Sequence, residues 1–173
     1  SDKASITGID SYDEAKAFAA ELASQHDYRM LSAFDDPDVI SGQGTVGLEL
    51  AHQAARLNAR LDLALCPVGG GGLATGMSVA ARAIKPEIAL IGVEAELFPS
   101  MYNKLRHNEL PCGGDTLAEG IAVKQVGELT YGVARPLIDE VLLIEEPYFE
   151  RAIALYCNVE KVVVEGAGAA SLA

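Results

Sequence analysis

Apolar positions along this chain follow a helical period in some stretches and form short continuous runs in others. Ala15, Phe18, Ala19 and Leu22 recur at helical spacing after Ser11-Tyr12-Asp13-Glu14, which reads as a capping box, so residues 11–25 are predicted to be an amphipathic helix. Residues 28–31 read as a short strand. Asp36-Pro37 reads as an N-cap with proline in the first turn. The pattern predicts a helix from there that breaks around Gly42 and Gly44 and resumes through Val46, Leu50, Ala54 and Leu57. Residues 61–68 are a short apolar run of buried-strand type, and residues 73–84 read as a helix stopped by Lys85-Pro86. Residues 88–93 repeat the strand signal. Residues 98–107 suit a short helix and residues 111–116 a loop. Residues 127–138 suit a helix kinked at Pro136. Residues 141–144 read as a third strand, 147–160 as a helix, 162–164 as a short extended piece, and a helical segment opens at Gly166.

Strands that are apolar throughout, alternating with helices, predict an α/β fold: a parallel sheet with helices on both faces. The chain has 173 residues, half of them hydrophobic and 22% charged, which is the composition of a globular domain with a real core. Its net charge of −12 argues against nucleic acid and anionic membrane surfaces as partners. No apolar run approaches the ~18 residues of a membrane span. Ser1-Asp2-Lys3-Ala4 lacks the charged start and apolar core of a signal peptide, so a cytoplasmic location is expected. Cys66, Cys112 and Cys157 show no paired spacing and read as reduced thiols. His26, His52 and His107 form no zinc-ligand spacing.

The chemistry concentrates in Gly69-Gly70-Gly71-Gly72, placed between the predicted strand at 61–68 and the helix at 73–84. Consecutive glycines let backbone amides approach a ligand closely, and the helix start adds free N–H groups and a positive dipole end. That combination suits a phosphate; the plainer alternative is a flexible connection. A second alternative is a dinucleotide fingerprint. Gly69-x-Gly71-x-x-Ala74 fits it, with Glu94 twenty residues on as the ribose-binding acid. Gly42-Gln43-Gly44-Thr45-Val46-Gly47 has the same spacing but no strand leads into it.

Several ordered stretches resemble one family. They are Phe34-Asp35-Asp36-Pro37-Asp38-Val39-Ile40-Ser41-Gly42-Gln43-Gly44-Thr45-Val46-Gly47-Leu48-Glu49, Pro67-Val68-Gly69-Gly70-Gly71-Gly72-Leu73, Ile91-Gly92-Val93-Glu94, Ala118-Glu119-Gly120-Ile121-Ala122-Val123 and Val163-Val164-Glu165-Gly166-Ala167-Gly168-Ala169-Ala170. Together they resemble the pyridoxal 5′-phosphate (PLP)-dependent threonine dehydratase and serine racemase family, of tryptophan synthase β-like fold (fold type II). The resemblance implies that the amides of Gly69, Gly70, Gly71, Gly72 and Leu73 hold the cofactor phosphate and that Gly120 lies beside its ring. It implies that Glu94 contributes to a cation site, monovalent or divalent; the aspartate of serine racemase-like members six residues on is Ser100 here. A bland reading of Glu94 is a solvated acid at a strand end. Glu165 matches a glutamate near the active site, with Gly166 in place of the usual proline, and Glu119 reads equally as an exposed acid.

The same resemblance implies a Schiff-base lysine in an early Ser-x-Lys-type motif. None of the six lysines (Lys3, Lys16, Lys85, Lys104, Lys124, Lys161) stands in that context. The resemblance therefore implies residues 1–33 as a remnant of the small domain and 34–173 as the large PLP-phosphate-binding domain, incomplete at its C-terminus. The expected function is a segment of a threonine or serine ammonia-lyase that is inactive alone. A non-catalytic PLP- or phosphate-binding module and an NAD-type domain remain the alternatives. A homo-oligomer, or a partner chain supplying the missing strands, is expected.

Overall fold

A computed structural model describes residues 12–173. The chain divides into two compact units, the first ending at Ser32 and the second spanning Ala33–Ala173. In the first, α1 (Tyr12–His26) forms over the predicted amphipathic segment, and the serine predicted to cap it, Ser11, lies outside the described residues. The strand expected at 28–31 does not form. Tyr28 and Leu31 are exposed, and no ladder partner exists for them among the described residues; an unpaired strand leaves its backbone groups unsatisfied.

The second unit opens with α2 (Pro37–Arg56). Asp36 caps it, its Oδ1 accepting from the amides of Asp38 at 2.8 Å and Val39 at 3.3 Å. The predicted break at Gly42 and Gly44 is absent; α2 is one helix of 20 residues. Close packing explains the glycines. β1 (Leu63–Pro67) leads through the glycine loop into α3 (Gly72–Ile84), and α3 crosses α2 with backbone against backbone. A Cβ on Gly47 would lie 2.7 Å from Met77 O, and one on Gly76 would overlap Ile40 O.

β2 (Ala89–Ala95), α4 (Ser100–Arg106), α5 (Glu128–Ala134), β3 (Glu140–Ile144), α6 (Glu146–Leu155) and α7 (Gly166–Ala169) follow. The predicted helix to residue 138 ends at Ala134 instead of kinking, because Pro136 has no N–H to continue the ladder; Leu137 and Ile138 both turn back to Ala134 O. The predicted helix over 147–160 is α6 followed by a π-helical turn, Tyr156–Glu160, which Lys161 closes at φ 59°.

The three strands are parallel in the order β1-β2-β3. Ala64, Cys66, Leu90 and Val141 point to one face and pack with Met77 and Met101 in the main core. On the other face Val93, Ala95, Ile121, Phe149 and Ala167 form a second cluster at the carboxyl end of the strands. On the same face Leu63, Leu65 and Leu142 stay 46%, 39% and 37% exposed. Arg82 fastens the edge, reaching Leu137 O at 3.0 Å and both oxygens of Asp139, whose Oδ2 also accepts from Leu90 N at 2.7 Å. No described helix is long and apolar enough to cross a membrane.

Candidate functional site

β1 ends at Pro67 and α3 starts at Gly72, so the four glycines leave the carboxyl end of a parallel strand and enter a helix. That end of a parallel sheet is where open α/β folds place ligands. Gly70, Gly71 and Gly72 are buried. Gly71 sits at φ 97°, a conformation glycine adopts without steric cost. Each glycine has protein at close range on one side. A Cβ on Gly70 would overlap the Phe34 ring, one on Gly71 would come within 3.0 Å of Thr130 Cβ, and one on Gly69 within 3.0 Å of Ile121 Cα.

The amides tell the other half. Val68 N donates to Val93 O and Thr75 N to Gly71 O, but the N–H groups of residues 69–74 find no acceptor among the described residues. Buried or half-buried amides without partners are rare in folded proteins. Here they stand in succession around the N-terminus of a 13-residue helix whose dipole adds partial positive charge. An oxyanion with several acceptor oxygens satisfies them; a cation does not.

One other predicted segment meets this loop, and a second packs against the first. The 3-10 turn Glu119–Ile121 brings Ile121 and Val123 against Gly69. Gly120 is exposed, and its Cα faces Glu165 Oε1 and Ala167 closely enough that a Cβ would lie 3.2 and 3.0 Å from them. Glu165 caps α7, Oε2 accepting from Ala167 N at 3.1 Å and Oε1 from Gly168 N at 3.0 Å. Glu119 is exposed.

Glu94 is not a solvated acid. It is fully buried at the end of β2, with Oε1 accepting from Met101 N at 2.7 Å and Oε2 from Tyr102 N at 2.9 Å. It therefore holds the first turn of α4, and α4 reaches the loop through Met101 Cε, 3.2 Å from the position of a Cβ on Gly71. Burial pushes the Glu94 carboxyl up to about 7, against the pull of the Met101, Tyr102 and Ser100 amides. The ribose-acid role in a dinucleotide reading would need this carboxylate in the open. No cluster of three or more His, Cys, Asp or Glu able to hold a metal exists among the described residues. The cysteines are unpaired, and burial raises the Cys66 thiol to about 12.

The layer behind the loop was not legible as function in the sequence. Asp35 Oδ1 accepts from Thr130 N at 2.9 Å and Oδ2 from Glu128 N at 3.2 Å, capping α5. Thr130 and Thr75 are buried, and Thr75 Oγ1 donates to Thr130 O at 3.2 Å. Phe34-Asp35 lies within a stretch singled out by resemblance, whereas nothing local marks Thr130 or Thr75.

Residues 4–173 match the family described as pyridoxal-phosphate dependent enzyme. An L-threonine ammonia-lyase of Thermotoga maritima is 40% identical over 164 residues, which are 94% of this chain and 40% of that protein. The crystal structure of a threonine deaminase from T.th. superposes with a TM-score of 0.84 at 36% identity, over 90% of this chain and 57% of that one. Serine racemase from Dictyostelium discoideum superposes with a TM-score of 0.80 at 30% identity, over 94% of this chain and 51% of that one. The chain thus spans roughly half the length of these relatives, and its sheet and helices are those of a fold type II segment. On the match of its whole second unit and the loop geometry, the chain belongs to the pyridoxal-phosphate dependent enzyme family.

Proposed function

We propose that this chain is the phosphate-holding segment of a PLP-dependent ammonia-lyase acting on a small hydroxy-amino acid, threonine or serine. The observation that carries this reading is the succession of unpartnered amides at residues 69–74 over the start of α3. The amides of Gly69, Gly70, Gly71, Gly72 and Leu73 hold the phosphate, and the dipole of α3 offsets its charge. No lysine or arginine is needed for that, which suits a chain of net charge −12. Bound PLP supplies an electron sink for the amino acid's α-carbon, which lets a β-hydroxyl depart. Gly120 is exposed, so the Ala118–Gly120 turn can lie beside the ring, while its missing side chain admits Glu165 and Ala167 on the other side. Glu165 and Glu94 orient α7 and α4 through amide hydrogen bonds and so fix the walls.

A cation beside Glu94 belongs to this reading as well. Its carboxylate keeps further lone pairs after accepting two amides. With no acidic cluster beside it among the described residues, carbonyl oxygens would complete the shell, an arrangement that suits a monovalent ion better than a divalent one.

The chain does not catalyse the reaction alone in this reading. Lys85 is paired with Asp62 at 2.8 Å, Lys104 with Glu128, and Lys161 with Asn158 O at 2.7 Å, none of these partners being a loop residue. A lysine must be positioned to exchange with the substrate amine and move its α-proton. The exposed Leu63, Leu65 and Leu142 support an assembled state, with a second copy or further chain covering that face. Residues 1–33 and 34–173 are assigned to the small and large domains of such an enzyme, in the cytoplasm. The test is an ammonia-release assay on the purified chain with added PLP and threonine or serine. No turnover above the PLP background is expected. Robust turnover abolished by replacing one of the six lysines would overturn the assignment.

A further inference from the structure

Gly70 O, in the middle of the glycine loop, is held by the rest of the fold from two directions. Thr130 Oγ1 lies 2.9 Å from it and Gly127 N donates to it at 3.3 Å. The single hydroxyl proton of Thr130 is shared between Gly70 O and Gly127 O, the latter at 3.0 Å. Thr130 is itself fixed from several sides. Its N–H donates to Asp35 Oδ1, its carbonyl accepts from Thr75 Oγ1, and both threonines are wholly buried.

The peptide joining Gly70 to Gly71 is planar and trans, so its C=O and N–H point in opposite directions. Holding Gly70 O toward the start of α5 therefore aims Gly71 N–H away from α5, where no protein acceptor meets it among the described residues. Glycines on both sides of this peptide would otherwise allow it to flip at little steric cost. A flipped peptide would replace a donor with a carbonyl at the ligand, turning an attraction for phosphate into a repulsion. Gly71 sits at φ 97° in this arrangement.

We propose that Thr130 is a positioning residue for the phosphate site, its hydroxyl locking the Gly70–Gly71 peptide with Gly71 N–H facing the ligand. This inference rests on the phosphate-holding role assigned above to the loop. Thr75 and Asp35 act one step further back by holding Thr130 in place.

The test is titration of the uniformly 15N-labelled chain with inorganic phosphate, read at the amides of residues 69–73, for the wild type, Thr130→Val and Thr130→Ser. Valine keeps the volume and removes the hydroxyl; serine keeps the hydroxyl. Loss of one oriented donor and gain of a facing carbonyl should weaken phosphate by ~tenfold or more in Thr130→Val, while Thr130→Ser stays within ~threefold of wild type. Exchange of the Gly127 amide with solvent deuterium should quicken in Thr130→Val alone. Equal phosphate affinity in folded Thr130→Val and wild type overturns the inference and leaves the loop assignment standing. Absence of any phosphate response in the wild type overturns the loop assignment, and this inference with it. Should Thr130→Val not fold, Thr75→Val is titrated in its place. It removes the hydroxyl that holds Thr130 O, and unchanged affinity there counts against the inference equally.

Discussion

Gly42-x-Gly44-x-x-Gly47 and Gly69-x-Gly71-x-x-Ala74 have the same spacing, yet the first lies inside α2 and the second opens α3. The difference is set by what precedes each run. Asp36-Pro37 has already nucleated α2 six residues before Gly42, so the amides of the first run are spent in the helix ladder. The second run comes straight off β1, and its amides have no ladder to enter. Glycine serves shape in one place and donor exposure in the other. In α2 it lets Gly47 approach Met77 O. In the loop it allows φ 97° at Gly71 and leaves N–H groups unpaired among the described residues. A glycine pattern alone reports neither role; the neighbouring element decides.

The largest break in this comparison should come where α3 meets α2. Gly76→Leu places a side chain where even a Cβ would overlap Ile40 O and lie 2.7 Å from Gly44 N. Backbone cannot yield as a flexible side chain can, so urea denaturation should show a loss of about 3 kcal/mol or more. A loss under about 1 kcal/mol would mean the two helices do not pack backbone to backbone.

Glu94 gives the next effect in size, because it ties the wall of the loop to pH. Its folded value, about 7, lies above the ordinary 4.5, so the folded chain keeps a proton that the unfolded chain releases. Stability from this group is complete below pH 4.5 and is lost as pH rises through about 7. The loss amounts to about 3 kcal/mol by roughly pH 8, and Glu94→Gln should remove it. Chemical denaturation of both proteins across that range provides the comparison; parallel pH profiles would contradict the burial-driven shift.

The smallest effect has the opposite sign. Gly42 is helical, and a Cβ there meets nothing within 4 Å. Gly42→Ala should therefore stabilise the chain by about 0.5–1 kcal/mol through helix propensity. Destabilisation in thermal melts would show that α2 is not a regular helix at that point.

Much of the fold was written in local pattern. The three parallel strands, the cap at Asp36 and the helix after Gly72 follow from apolar runs, turn residues and one proline. What failed was long-range. The spacing at Gly42 and Gly44 looked like a break because the partner that uses those glycines, α3, lies about thirty residues on in sequence. Residues 28–31 looked like a strand because β-forming side chains do not reveal whether a neighbour exists to pair with. The loop itself was visible as consecutive glycines between strand and helix. Its supports were visible only in part: Phe34-Asp35 lies in a stretch marked by resemblance, whereas Thr75 and Thr130 reach the loop from separate parts of the chain and carry no local signature. Glu94 was visible as an acid at a strand end, but its burial depends on α4 folding over it.

The most direct test of the phosphate-holding role is PLP binding to this chain, followed by the 31P resonance of the cofactor, in wild type and Gly71→Asp. The substitution forces a Cβ against Thr130 and Met101 at φ 97° and sets a negative charge in the loop whose amides should hold the phosphate. A shifted, saturable 31P signal is expected with the wild type and none with folded Gly71→Asp. Wild-type affinity in the folded variant would contradict the role given to the loop.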